Sequence, residues 1–186
     1  YALVSSGLEP RLTYLDRPVK SPIANSNTPP TGRIAVVVLA VQGITRMWRA
    51  DPTTLRFATT LLQTVTQSLI NRSGGCEVKS VGNSQLVVFQ GLWRAASFCC
   101  ELQASLVLQP WPPELQCLPD AAEQKDDTGH FLFHGLRVRI GISAGETQYI
   151  SNPHAGRPEY PPDLIKRAAH FCSMPLGGYT VLGTSE

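Results

Sequence analysis

From Ile34 to Val41 the chain reads IAVVVLAV, a run rich in β-branched residues with no polar break. A strand exposed on one face alternates, so an unbroken run predicts a central strand covered on both faces. The period then changes. In DPTTLRFATTLLQTVTQSLINRSGG, Leu55, Ala58, Leu61, Leu62, Val65 and Leu69 recur at helical spacing. Asp51 is placed to cap this helix, Pro52 suits its first turn, and Gly74-Gly75 ends it. Next, CEVKSVGNSQLVVF brings two strand-like runs together at Gly82-Asn83, the chemistry of a tight hairpin. A second helix is expected from about Leu92 to Leu108, with Ala95, Phe98, Cys99, Leu102 and Leu106 on one face and Pro110 beyond its end.

Residues 109–130 are rich in Pro, Gln and Asp and read as an insertion or long loop with one apolar clip, WPPEL. GLRVRIGIS then alternates, sending Leu136, Val138, Ile140 and Ile142 one way and Arg137 and Arg139 the other. A further strand is expected near Glu146–Ile150, a short helix around Asp163–Cys172, and a last strand in GYTVLGT. The order predicts an α+β fold: a ferredoxin-like sandwich with a mostly antiparallel sheet and its helices on one face. Residues 1–31, with five prolines among Ser, Asn and Thr, read as an arm or linker, leaving 32–186 as the domain.

Composition narrows the function. A net charge of +2 without a Lys/Arg stripe argues against a nucleic-acid partner. No apolar run reaches the length of a membrane span, and the first residues lack the basic flank and apolar stretch of a secretory leader. The five cysteines form no C-x-x-C pair and the four histidines share no ligand spacing, so buried thiols in a reducing compartment are expected, with no zinc site.

Four stretches in collinear order, VVVLAVQGITRMW, EVKSVGNSQLVVF, WPPEL and GLRVRIGISAGE, resemble the catalytic domain of class III adenylate/guanylate (nucleotidyl) cyclases, and within that class the trypanosomatid adenylate cyclases. The resemblance runs from about Arg33 to Thr184. It implies a ferredoxin-like α/β sandwich that cyclises ATP or GTP with release of pyrophosphate. It also implies two carboxylates holding two Mg²⁺, a Lys and an Asp reading adenine from the opposite subunit, and a helical Asn and Arg acting on ribose and transition state. The site lies between two such domains, so the implied partner is a second cyclase-type domain, in a homodimer or a heterodimer.

Carried over by position, much of this is missing. The first metal carboxylate falls on Ala40 and the second on Asn83. Lys79 matches the adenine-reading lysine, Glu159 in PEYPP stands for its partner acid, and Lys166 and His170 take the places of the Asn and Arg. Gly43 is the candidate for a backbone nest meeting a triphosphate. Each position also has a plainer reading. Lys79 serves as a solvated strand lysine, Asn83 as a turn residue, Gly43 as a strand-to-helix glycine, Arg137 and Arg139 as a polar strand face, and His170 as packing. Arg167, a neighbour that could stand in for the lost Arg, points about 100° away around the helix.

The expectation is a catalytically degenerate cyclase domain acting as a regulatory or scaffolding dimerisation module. It binds no cofactor of its own, with Mg or Mn entering only if a partner completes the site. Two alternatives remain: the complementary half of a heterodimeric adenylate cyclase, and an ATP sensor without turnover that uses Lys79, Glu159 and Gly43. The thiols and the resemblance place it in the cytoplasm, in a flagellum, or on the cytoplasmic side of a membrane protein.

Overall fold

The computed structural model describes residues 29–81, 84–147, 150–152 and 157–184. The predicted central strand is β1 (Gly32–Val41). It leads through Gln42-Gly43 into a short helix, α1 (Ile44–Ala50), which the helical periodicity further on does not announce, and then into α2 (Pro52–Ser73). The Asp51 carboxylate accepts hydrogen bonds from the backbone N–H groups of Thr53 (3.1 Å) and Thr54 (3.0 Å), and Gly74 closes the helix in the left-handed region. The hairpin strands β2 (Cys76–Val81) and β3 (Ser84–Gln90) follow, then α3 (Leu92–Val107).

The main sheet has the order β2-β3-β1-β6-β9, where β6 is Val138–Thr147 and β9 is Thr180–Thr184. All its pairs are antiparallel except β6 with β9. Two small ribbons, β4 (Gln124–Lys125) with β5 (Phe131–Phe133) and β7 (Ile150–Asn152) with β8 (Arg157–Glu159), stand outside it. The strand expected near 146–150 is therefore divided between the end of β6 and the start of β7.

β1 sorts its side chains into two cores. Ala35, Val37, Leu39 and Val41 pack with α2 and α3, while Ile34 and Val36 pack with α4 (Pro162–Ser173) through Leu164 and Ala168. Coverage on both faces is as the apolar run predicts. The expectation of helices on one face is corrected: α4 lies opposite α2 and α3. The reason is legible in β6, where residues facing α4 include Gly141 and Gly145. A Cβ on Gly141 would stand 2.1 Å from the Ala168 carbonyl oxygen and one on Gly145 2.7 Å from Leu164 Cδ2, so the helix rests on nearly bare strand.

The stretch 109–130 is less of a loop than its composition suggests. Trp111, Leu115 and Ala121 belong to the α2–α3 core, the Trp111 indole N–H donates to the Leu106 carbonyl (2.8 Å), and Pro113–Cys117 forms a 3₁₀ turn. All five cysteines are free, but only Cys76, Cys99 and Cys172 are buried, while Cys100 and Cys117 are exposed. Residues 1–28 of the expected arm lie outside the described residues. At its end, the Pro30 carbonyl accepts from the buried Tyr160 hydroxyl (3.0 Å), which fixes the entry to β1 beside the entry to α4.

Candidate functional site

Cross-strand partners share a face of a sheet, so register decides what surrounds each predicted site position. Ala40 pairs with Ser84 on β3 and with Arg139 on β6, and Ser84 pairs in turn with Val81. One row thus reads Val81, Ser84, Ala40, Arg139. The next row on the same face reads Lys79, Leu86, Val38, Gly141. Leu86 belongs to the α4-side core, and so both rows face α4. Lys79 and Arg139 are therefore brought to one face around Ala40. Lys79 is exposed, just past an irregularity between Glu77 and Lys79 in the pairing of β2. Asn83 lies outside the described residues.

Arg139 is half-buried, and its Nε is enclosed without a hydrogen-bond partner among the described residues. It lies near Cys172 of α4: burial pushes that thiol up, and the Arg139 charge opposes the shift. The sequence assigns Arg139 to a polar strand face. Only the β1–β6 register reveals that it stands beside Ala40.

Gly43 sits between β1 and α1 with φ 63°, in the left-handed region that favours glycine. A Cβ there would lie 2.1 Å from Asp120 Cγ. The Asp120 carboxylate, buried at the end of the Trp111–Ala121 stretch, accepts from Arg46 Nη2 (2.6 Å). A protein anion thus rests against the loop that the resemblance offers to a triphosphate. Asp120 lies in a stretch whose composition reads as loop, and no sequence signal marks it.

On α4, Lys166 and His170 are both exposed and four residues apart, so they share one solvent stripe one turn long. Arg167 is half-buried, with its Nε enclosed and unpartnered among the described residues. Glu159 ends β8, opposite Ile150. The described residues contain no group of three or more His, Cys, Asp or Glu able to hold a metal. A methyl between a hydroxyl and a guanidinium does not fit a two-metal centre, which is built from carboxylates.

Mostly on the opposite face of the sheet, beneath α1 and α2, a cavity of about 470 Å³ opens at the end of β1, with Leu39, Val41 and Thr66 among its walls and Ala40 and Ser84 also lining it. No helix among the described residues is long and apolar enough to cross a membrane.

The sheet order, the hairpin reaching the end of β1, and helices on both faces define a domain of the class III nucleotidyl cyclase type. It superposes on adenylate cyclases from Trypanosoma brucei in their monomeric state with a TM-score of 0.74 and 24% identity, covering 85% of this chain and 77% of that one, a likeness of fold. In sequence it is 30% identical over 166 residues to the adenylate cyclase of Schizosaccharomyces pombe, covering 88% of this chain and 10% of that protein. It is likewise 31% identical over 164 residues to a serine/threonine-protein kinase/receptor of Acanthamoeba polyphaga mimivirus, covering 85% of this chain and 10% of that protein. The chain thus spans about a tenth of the length of these sequence relatives. No protein-family model matches it.

Proposed function

We propose that this is a catalytically degenerate nucleotidyl cyclase domain that acts by pairing with a second cyclase-type domain, as a regulatory or scaffolding module. The observation that carries the reading is the row Ser84, Ala40, Arg139. A magnesium ion sheds water reluctantly and is held by carboxylates together with phosphate oxygens. Here the position nearest the resemblance's first carboxylate offers a methyl group, and the neighbouring charge is positive. Asp120 against Gly43 supports the same conclusion, because its carboxylate fills the space beside the loop and already engages Arg46, the nearby cation. Lys166 and His170 lack the fork of an arginine, which matches phosphate oxygens in pairs. A cytoplasmic setting, in a flagellum or under a membrane protein, belongs to this reading and is supported by the three buried free thiols.

A second reading has its own observation. Lys79 and Arg139 share the α4 face in neighbouring rows, a pair of cations suited to an anionic nucleotide bound without metal.

Calorimetric titration with ATP and GTP, with and without Mn²⁺, combined with a cyclase assay of the domain alone and mixed with an active cyclase domain, separates the readings. The module predicts no heat and no cyclic nucleotide from the isolated domain. Metal-independent ATP binding weakened by Lys79→Ala would establish the sensor instead. Cyclic nucleotide formed in the mixture and lost on Lys79→Ala would make the chain the complementary half of an enzyme and end the scaffold reading.

A further inference from the structure

We propose that the cavity at the end of β1 binds an uncharged, largely apolar small molecule carrying a hydrogen-bonding group. The inference goes beyond the cyclase reading: most of the cavity's walls lie on the other side of the sheet from Lys79 and Arg139, and it reaches Ala40 and Ser84 only at the end of β1. Ser80 pairs with Gln85 and Gln85 with Leu39, a row whose Leu39 belongs to the α2–α3 core. That row forms one wall.

The volume of about 470 Å³ lies within the range of small-molecule sites, roughly 300–1,000 Å³. The floor is apolar: Val41 and Val138 from the sheet and Leu102 from α3. Trp48 and Leu62 close it from the helix side, and Trp48 is still 38% exposed, so the mouth reaches solvent. None of the lining residues is ionisable. A nucleoside phosphate entering here would lose its hydration without meeting a cation, which the chemistry of buried charge forbids.

The polar groups are few and neutral. On α2 the hydroxyls of Thr59, Thr60 and Thr64 donate to carbonyls one turn back, at 2.8, 2.9 and 3.0 Å. Thr66, only 2% exposed, lines the cavity and makes no such bond among the described residues. A hydroxyl on the wall of a hollow that reaches solvent bonds water there, and a bound molecule with a hydrogen-bonding group takes that water's place. Ser84 and Gln85 offer further neutral partners at the hairpin end. Such a pattern, apolar walls with a few convergent neutral polar groups, selects a molecule with an aromatic or aliphatic body and a hydroxyl or carbonyl.

The test titrates the isotope-labelled domain with 1-naphthol, naphthalene, 1-naphthalenesulfonate and MgATP, and follows its methyl resonances. Saturable shifts are expected with 1-naphthol at the methyls of Leu39, Leu62, Leu102 and Val138, and none there with the sulfonate or MgATP. Leu62→Trp, which fills the hollow, should abolish the shifts. Thr66→Val should weaken 1-naphthol about 2–10-fold, the worth of one neutral hydrogen bond, and leave naphthalene unchanged. If Leu62→Trp does not fold, the selective effect of Thr66→Val decides alone. The proposal is overturned by shifts confined to exposed patches such as Phe131 and Leu132, by equal binding of the sulfonate, by displacement of 1-naphthol by MgATP, or by equal losses for both neutral probes in Thr66→Val.

Discussion

The two faces of the sheet are packed by different means. On the α4 side, Gly141 and Gly145 remove the side chains between strand and helix, and the helix backbone comes down to the strand itself. On the α2–α3 side, full-sized residues such as Phe89, Phe98, Leu102 and Ile140 hold the helices off, and a hollow remains where β1 ends. The first face is specified by what is absent and tolerates no added atom. The second is specified by volume and accommodates a gap at its margin. By register Ala40, Lys79 and Arg139 belong to the tight face, and most of the cavity's walls belong to the other.

Three substitutions sharpen this contrast. The largest effect is expected from Leu115→Ala. Leu115 is fully buried in the α2–α3 core, and its loss should cost about 2–5 kcal/mol in urea denaturation. A change of less than half a kilocalorie would mean that the 109–130 stretch is a loop after all. Gly141→Ala comes next. Its methyl meets the backbone of Ala168 and Cys172 rather than a movable side chain, and overpacking of this kind costs about 1–3 kcal/mol. A neutral result would show that α4 can lift away, and the tight face would not be tight.

The smallest effect concerns the Asp51 cap. Bonds from Thr54 and Thr53 hold its carboxyl below the ordinary value of 3.8, against the opposing pull of desolvation. The folded value is the lower one, so the charged cap contributes fully above about pH 4 and its contribution fades as pH falls through the folded value. Asp51→Ala should therefore lower stability slightly at neutral pH, with the gap to wild type closing in acid. A gap that is constant from neutral to acidic pH would remove the carboxylate from the account.

Much of this was readable before any coordinates. The unbroken apolar run made β1 a two-sided strand, helical spacing and the Asp51-Pro52 and Gly74-Gly75 signals bounded α2, and two strand-like runs in succession announced the antiparallel pair β2 and β3. These are local features, set by periodicity and backbone preference within a few residues of one another. Which residues stand at the positions the resemblance points to, Ala40, Asn83, Lys166 and His170, is also a matter of sequence, because residue identity needs no geometry.

What sequence could not supply is whatever depends on register and on long-range approach. Arg139 became Ala40's neighbour only through the pairing of β6 with β1. Asp120 met Gly43 across 77 residues of chain, and the Pro- and Asp-rich stretch that carries it became core because Trp111, Leu115 and Ala121 found apolar surface on α2 and α3. Helices on both faces followed from two glycines whose function is visible only when α4 is lying on them. Local pattern fixes which residues form a strand or helix. Which side chains then face one another depends on pairing between distant segments, where a shift of one residue turns every side chain to the other face.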